Sequence, residues 1–540
     1  MTRRLWLASV AVVLALVAAP AAQSRPPRLI VLVVVDQMRA DYLTAYSGGF
    51  TGGLRRLMRD GAWFTRAGYP YLNTVTCPGH ATIGTGTFPY RHGMILNNWF
   101  DRETGRIPYC TDDPSETEIS YSGLEPVQGD SARRLLQPAL GEQIVRHGGR
   151  SVSLSLKPRS AIGLTGRRAD AVVWFDDRGG WTTSTAYGDA PVPFLARFIE
   201  ANPVTADLDK IWERTLPPSA YKYKDDAEGE GTVGEWTRTF PHPLRPAPGK
   251  AETQFFTRWQ RSPFSDEYLG RMAAAAVDAL ELGQRESTDY LAVSFSALDM
   301  VGHAYGPRSH EVQDLLVRLD LTIGRLLDHL DREVGRDNYV LGLSADHGVA
   351  GIPEQEGRGG RQTSAQVIDE LQKLLVPILG EGKHVLANTY TEVYLAPAAR
   401  ERIFADPGLT RKVVDTLRRL PAVARVFRGD ELATESARRS GDPVRRAAAL
   451  SYHEGRSGDF VLVPREHWLL SSSTTTHGTL YPYDQRVPVI VFGARVRPGR
   501  YRQGATPADL APTLASVAGV QIEPTDGRVL REALRNGPSK

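Results

Sequence analysis

Asp36 closes the apolar run "RLIVLVVVD", Asp299 and His303 follow "LAVSFSAL", and Asp346 and His347 follow "YVLGLSA". His477 stands in the loop "SSSTTTHG" at 471 to 478. Together these three carboxylates and three imidazoles supply enough donors for two divalent ions. Mixed carboxylate and imidazole ligation favours zinc, with manganese or iron as alternatives. Taken singly, each residue is weak evidence, because an aspartate at a strand end more often caps a helix or accepts a loop hydrogen bond. Adjacent Asp and His directly past a buried strand are harder to explain by capping, so the joint pattern outweighs its parts.

Two other stretches carry side chains suited to anions. In "LSLKPRS" the residue before proline is pushed to an extended conformation, so Lys157 and Arg159, two apart, can project the same way at a strand end. The plain alternative is a solvated pair on a loop. In "YLNTVTCPGHATIGTG", Thr76 stands where a loop becomes a helix. As N-cap, with Pro78 in the first turn, its hydroxyl would meet an anion where helix N–H groups point outward. His80 and His92 are read as structural, ordering this loop, with a supporting role behind the ligands as the alternative.

Positioning these groups calls for strands that end together. The run ending at Asp36 is continuous and rich in Val, which suits a central parallel strand covered on both faces. Similar runs recur at "SVSLSLK", "DYLAVSFSALD", "NYVLGLSADHG" and "RVPVIVFG", separated by helical patterns such as "EVQDLLVRLDLTIGRLLDHLDREV". Strands alternating with helices imply an α/β fold with a doubly wound, mostly parallel sheet, whose ligands sit beyond the carboxyl ends of the strands. Two stretches interrupt the rhythm. Residues 177–262 read as an irregular insertion over the site, and 351–470 as a cap or small subdomain with its own helices and strands. "TPADLAPTLASVAG" reads as a packing helix with Asp509 near its N-terminus.

Composition sets the background. With 41% hydrophobic residues the 540-residue chain can bury a large core, and 65 basic against 62 acidic residues leave a net charge of +3. That balance gives no reason to expect nucleic acid as a partner, so any anion site is local. Arg3, Arg4 and the apolar "LWLASVAVVLALVAA", followed by "APAAQS", form a secretory signal pattern over 1–23, with cleavage near Ala21 to Gln23. No later run has membrane length, so the chain left after cleavage is expected to be a soluble exported protein, periplasmic or secreted. Cys77 and Cys110 are the only cysteines, and their pairing stays open.

The segments "VVVDQMRADYL", "NTVTCPGHATIGTGTFPYRHGMILNNWFD", "LKPRSAI", "ALDMVGHAYGP", "SADHG", "TTTHGTLYPYDQRVPVIVFG" and "TPADLAPTLASVAG" resemble the alkaline phosphatase superfamily. Within it they are most similar to the type I phosphodiesterase/nucleotide pyrophosphatase group, and especially to its phosphate-irrepressible alkaline phosphatases. The resemblance runs in order from about residue 28 to the C-terminus. It implies that Thr76 is the nucleophile, with Asp36, Thr76, Asp346 and His347 on one zinc ion and Asp299, His303 and His477 on a second. One ion would activate the threonine, and the other would stabilise the leaving oxygen and then activate water to cleave a phosphothreonine intermediate. Lys157, Arg159 and Asn97, or Asn98 if the register is one off, would hold the nonbridging phosphate oxygens. Two cations and an amide suit the extra charge of a monoester dianion, so small phosphate monoesters are the expected substrates. A nucleotide pyrophosphatase/phosphodiesterase is the alternative. A sulfatase is disfavoured, because Cys77 precedes proline directly and the arginine of the sulfatase marker is missing. A fold kept only for binding is disfavoured because no expected position is lost.

Overall fold

Leu29–Val35 contains only Leu, Ile and Val, and in the computed structural model, which describes residues 26–250 and 253–535, all seven are buried inside an eleven-stranded sheet. Its parallel neighbours are Tyr339–Ser344 on one side and Asp289–Phe295 on the other. Ser151–Ser155 and Ala171–Asp176 continue the parallel set beyond Asp289–Phe295. Side-chain alternation divides the strand between two apolar layers. Leu29, Val31, Val33 and Val35 join the layer covered by helices Pro263–Ala279 and His310–Leu330. Ile30, Leu32 and Val34 join the opposite layer, under Thr76–Thr85, Leu140–Arg146 and Leu510–Ala518. Fully burying each such side chain is worth roughly 1.5–3 kcal/mol, so burial on both faces holds the strand more than its β-propensity does.

The covering helices follow from their own sequences. In His310–Leu330 the buried Leu315, Leu316, Leu319, Ile323, Leu326, Leu327 and Leu330 recur every three or four positions, and the Ser309 hydroxyl accepts from the Val312 N–H at 3.2 Å as N-cap. In Leu510–Ala518 the preceding turn is closed by Thr506 and Asp509, whose carboxylate accepts from the Thr506 and Arg528 N–H groups. Asp509 thus serves its helix entry.

Antiparallel strands are confined to the flanks. Val489–Gly493, within "RVPVIVFG", runs antiparallel to Tyr339–Ser344. The reason is its approach: the chain arrives from the His477 loop at the carboxyl end of the parallel set and must run back. Ala62–Ala67 and Gly499–Ala505 complete that edge. On the other edge Gly180–Ser184 pairs antiparallel with Ala171–Asp176, so the first residues of the irregular 177–262 stretch extend the main sheet. The rest of that stretch has little regular structure between helices Pro193–Ala201 and Thr253–Gln260. Within 351–470 a separate antiparallel sheet forms, ordered Val385–Thr389, Glu392–Leu395, Phe460–Pro464, Val423–Arg428. Helices Ser364–Leu379 and Pro407–Arg419 cover it with Leu371, Leu375, Val413 and Leu417.

The signal-like segment 1–23 lies outside the described residues. No helix among the described residues is long and apolar enough to cross a membrane.

Candidate active site

Strand register brings the chemistry to one edge. Val35 pairs with Phe295 and Val34 with Ser344, so Asp36, Asp346 and helix Ala297–Tyr305 emerge side by side at the carboxyl ends. Ser155 pairs with Ser294, which delivers Lys157 to the same edge. Asp299 and His303 are one helical turn apart and meet on one face, His303 Nε2 lying 3.2 Å from Asp299 Oδ1. His477 reaches in from its loop, with Nε2 3.2 Å from His303 Nε2 and 3.6 Å from Asp299 Oδ1. Beside them His347 Nε2 lies 3.2 Å from Asp346 Oδ2, 3.5 Å from Asp36 Oδ1 and 3.4 Å from Thr76 Oγ1. The His347 and His477 rings stack with centroids 3.4 Å apart, so the two groups adjoin.

All three imidazoles are oriented alike. Nδ1 of His303, His347 and His477 donates to the carbonyls of Thr475, Gly348 and Thr74 at 3.0, 2.9 and 3.1 Å. Since a carbonyl only accepts, the neutral ring keeps its lone pair on Nε2, which faces the carboxylates. Asp36 Oδ1 and Asp346 Oδ2 are buried without a hydrogen-bond partner. An orphaned buried carboxylate oxygen is costly, and a bound cation removes that cost. Burial, reinforced by Asp346, pushes Asp36 up to about 7, against the pull of Lys157. His347, which burial alone would lower, is carried up to about 9 by Asp346 and Asp36. The donor set therefore fits a divalent cation.

His80 also comes within 3.3 Å of Asp346 Oδ2. Its Nδ1 donates to the Thr76 carbonyl at 2.9 Å and its Nε2 meets Ser294 Oγ at 2.7 Å, so both nitrogens are engaged by the protein. His92 bonds Thr82 and the Met94 N–H and belongs to the loop.

Thr76 departs from the sequence expectation in one respect. The helix spans Thr76–Thr85 with Val75 at the N-cap, so Thr76 is the first helical residue and its hydroxyl caps nothing. The Cys77 N–H that an N-cap could have taken is accepted by Asn97 Oδ1 at 2.8 Å. Thr76 Oγ1 is thereby left to His347. Gly79, one turn on, is required by close approach: a Cβ there would sit 2.3 Å from the Asp346 carbonyl oxygen.

Asn97 is doubly anchored, because its own carbonyl accepts from Cys110 N at 2.8 Å. Cys77 and Cys110 form a disulfide, so the bridge ties the Asn97 loop to the start of the Thr76 helix. With Oδ1 used by Cys77, the Asn97 amide donors are the part left for a ligand. Asn97 lines a cavity of about 850 Å³ with Lys157, Arg159, Asp299 and His303. Asn98 instead pairs its backbone with Tyr109.

Lys157 and Arg159 share that cavity by a different route from two alternate positions on a strand. Lys157 is the extended N-cap of helix Pro158–Thr165, while Arg159 lies in its first turn. Lys157 Nζ bridges Asp36 Oδ2 at 2.6 Å and Asp299 Oδ2 at 2.5 Å. Arg159 has no carboxylate within salt-bridge distance among the described residues, and its Nε is buried without a partner.

Sequence reasoning missed Gln37. Its side chain donates to Asp299 Oδ1 at 2.6 Å and its N–H to Asp346 Oδ1 at 3.0 Å, so one residue braces both candidate donor groups. It holds φ at 67°, a left-handed conformation unusual for a non-glycine residue, and nothing in the sequence but its place after Asp36 could signal that.

The chain is 30% identical over 541 residues to alkaline phosphatase PafA of Elizabethkingia meningoseptica, covering 97% of each chain. It is 31% identical over 539 residues to alkaline phosphatase PhoK of a Sphingomonas species, covering 94% of this chain and 91% of that one. The crystal structure of wild-type PafA superposes with a TM-score of 0.85 at 29% identity, over 94% of this chain and 99% of that one. A form of PafA substituted at a threonine, an asparagine, a lysine and an arginine superposes equally well. The family model described as type I phosphodiesterase / nucleotide pyrophosphatase matches residues 30–485. Its span takes in every group converging at the sheet edge, and the chain belongs to that family.

Proposed function

We propose that this protein is an exported alkaline phosphatase that hydrolyses phosphate monoesters at a two-zinc centre through a phosphothreonine intermediate. The observation that carries it is the meeting of three buried carboxylates and three Nε2 atoms in two adjoining groups, one of which reaches Thr76 Oγ1 through His347 Nε2 at 3.4 Å, beside a cavity walled by Lys157, Arg159 and Asn97. The four positions substituted in the PafA variant have the spacing found here: 21 residues from threonine to asparagine and two from lysine to arginine. Asp36, Asp346 and His347 with Thr76 would hold one ion, and Asp299, His303 and His477 the other. Ions bound there supply Lewis acidity to the threonine hydroxyl and to the departing oxygen.

The chain's own groups do the rest. Thr76 Oγ1, at the start of its helix, attacks phosphorus in line with the leaving alcohol, and water then releases phosphate from Thr76. The Arg159 guanidinium, the Lys157 ammonium and the Asn97 amide N–H groups take the nonbridging oxygens, which suits the dianionic ester. Gln37 fixes Asp299 and Asp346, so the ligand carboxylates need no reorganisation on binding. Export is supported by the signal-like segment and by the disulfide, a bond typical of oxidising compartments.

The test compares kcat/KM for an aryl phosphate monoester and a matched diester, before and after Lys157→Ala/Arg159→Ala. A monoester preference that falls by about 10² or more is expected if each charge-assisted contact is worth about 1.5–3 kcal/mol. Equal losses on both substrates would favour the diesterase.

A further inference from the structure

Beyond the phosphoryl end, the 850 Å³ cavity is walled by the 177–262 stretch and its neighbours, including Asp112, Asp130, Asp177, Gln260 and Arg261. Some of the charges lining it are already matched, while Asp112, Asp130 and Arg159 have no salt bridge among the described residues. Arg178 binds both Glu118 and Asp176. Arg261 and Asp177 also face the cavity without an oppositely charged group within salt-bridge distance among the described residues, and both lie on the inserted stretch, where Asp177 is the carboxylate that most favours the Arg261 charge. The Arg261 side chain's hydrogen bond goes to the Thr257 carbonyl at 3.2 Å. Asp177 Oδ1 accepts from Gln260 Nε2 at 3.0 Å, which leaves Oδ2 free and fixes the carboxylate beside the residue preceding Arg261. Burial works against the Arg261 charge, and Asp177 followed by Asp299 works for it, so the guanidinium lies within electrostatic reach of Asp177 and of Asp299, one of the candidate metal ligands.

A half-buried guanidinium without a salt bridge favours an anion, and the exposed Asp177 carboxylate, anchored through Oδ1, leaves Oδ2 open to a cation. A neutral alcohol satisfies neither, a purely anionic one meets Asp177, and a purely cationic one meets Arg261. From this juxtaposition, and resting on the phosphatase reading, we propose that the site prefers phosphate monoesters of small zwitterionic alcohols, O-phosphorylated α-amino acids such as O-phosphoserine. The α-carboxylate binds Arg261 and the α-ammonium binds Asp177 Oδ2, while the phosphoryl group occupies the Lys157, Arg159 and Asn97 end.

The test uses the metal-loaded full chain and three substrates that differ one group at a time. O-phosphoserine has both charges, 3-phosphoglycerate replaces the ammonium with hydroxyl, and phosphoethanolamine lacks the carboxylate. The expected order of kcat/KM puts O-phosphoserine about tenfold above each of the others, the scale of one partly solvated charge-assisted contact. Arg261→Gln should cancel its advantage over phosphoethanolamine, and Asp177→Asn its advantage over 3-phosphoglycerate, with an uncharged alkyl phosphate turned over as before by both variants. Equal rates on all three substrates overturn the proposal, as does a variant that slows all substrates alike. Failure to hydrolyse the uncharged alkyl phosphate would instead count against the phosphatase reading, which separates the two.

Discussion

Lys157→Met should unfold the chelated protein far more readily than the metal-loaded one. Lys157 Nζ lies between Asp36 and Asp299 with its side chain 6% exposed, and the two carboxylates are 0% and 6% exposed. Removing one partner from a buried charge pair costs about 3–5 kcal/mol, because the carboxylates lose their compensation and regain no water. Methionine keeps most of the apolar stem, so packing is little changed. Unfolding entropy of about 2.1 cal/mol/K per residue, over the roughly 510 residues described, turns a 4 kcal/mol loss into a fall of about 4 °C in Tm. With divalent ions bound, their charge compensates Asp36 and Asp299, and the expected fall is under about 1 °C. Thermal unfolding of wild type and variant, each with excess zinc and with chelator, gives the four values needed. The same shift in both states would show that the ammonium and the metal do not share these carboxylates, and the ligand assignment would fail.

Thr76→Ala should lower kcat/KM by about 10³-fold or more and abolish the phosphoenzyme seen by intact mass after acid quench, while Thr76→Ser keeps part of both; full turnover in a metal-verified Thr76→Ala protein would remove Thr76 from the chemistry. Replacing Cys77 and Cys110 by alanine opens a loop of 33 residues, for an expected loss near 4 kcal/mol in chemical denaturation. Below its unfolding range that variant should also lose monoesterase kcat/KM in the same direction as Asn97→Ala; unchanged kinetics would mean that the bridge does not hold Asn97 in place. Burial raises Glu392 from 4.5 to about 7, so the folded state keeps a proton that the unfolded state has lost, and stability drains as pH rises through that window. Glu392→Gln should therefore gain up to about 3 kcal/mol on wild type between pH 4.5 and 7 and run parallel above it, measured by denaturant midpoints; curves parallel throughout would contradict the shift.

What could be read in advance was what depends on local pattern. The meeting of Asp36, Asp346 and Asp299 at one sheet edge was legible because the first two closely follow apolar runs buried on both faces, Asp299 opens the helix after a third such run, and strands of one parallel set end together. The antiparallel return of Val489–Gly493 was not, since a buried strand looks the same in either direction and only the entry point of the His477 loop decides it. Thr76 was recognisable by its neighbours, but its place inside the helix depended on Asn97, 21 residues away, taking the Cys77 N–H. Gln37 and the Lys157 bridge between Asp36 and Asp299 are products of tertiary packing, and no spacing announces them.

The inserted four-stranded sheet has a mechanical role in this centre. The 129 residues between His347 and His477, left as a flexible loop, would oppose closure by about 4 kcal/mol of chain entropy at each encounter of the two imidazoles. Because Val385–Thr389, Glu392–Leu395, Phe460–Pro464 and Val423–Arg428 close much of that length on a core of their own, His477 is delivered on a short tether. The sheet thus sets the effective concentration of His477 at the candidate centre. A cavity made at Val413, in its apolar layer and outside both candidate donor groups, would reach the centre as a lengthened tether and a weaker hold on any ion His477 would share.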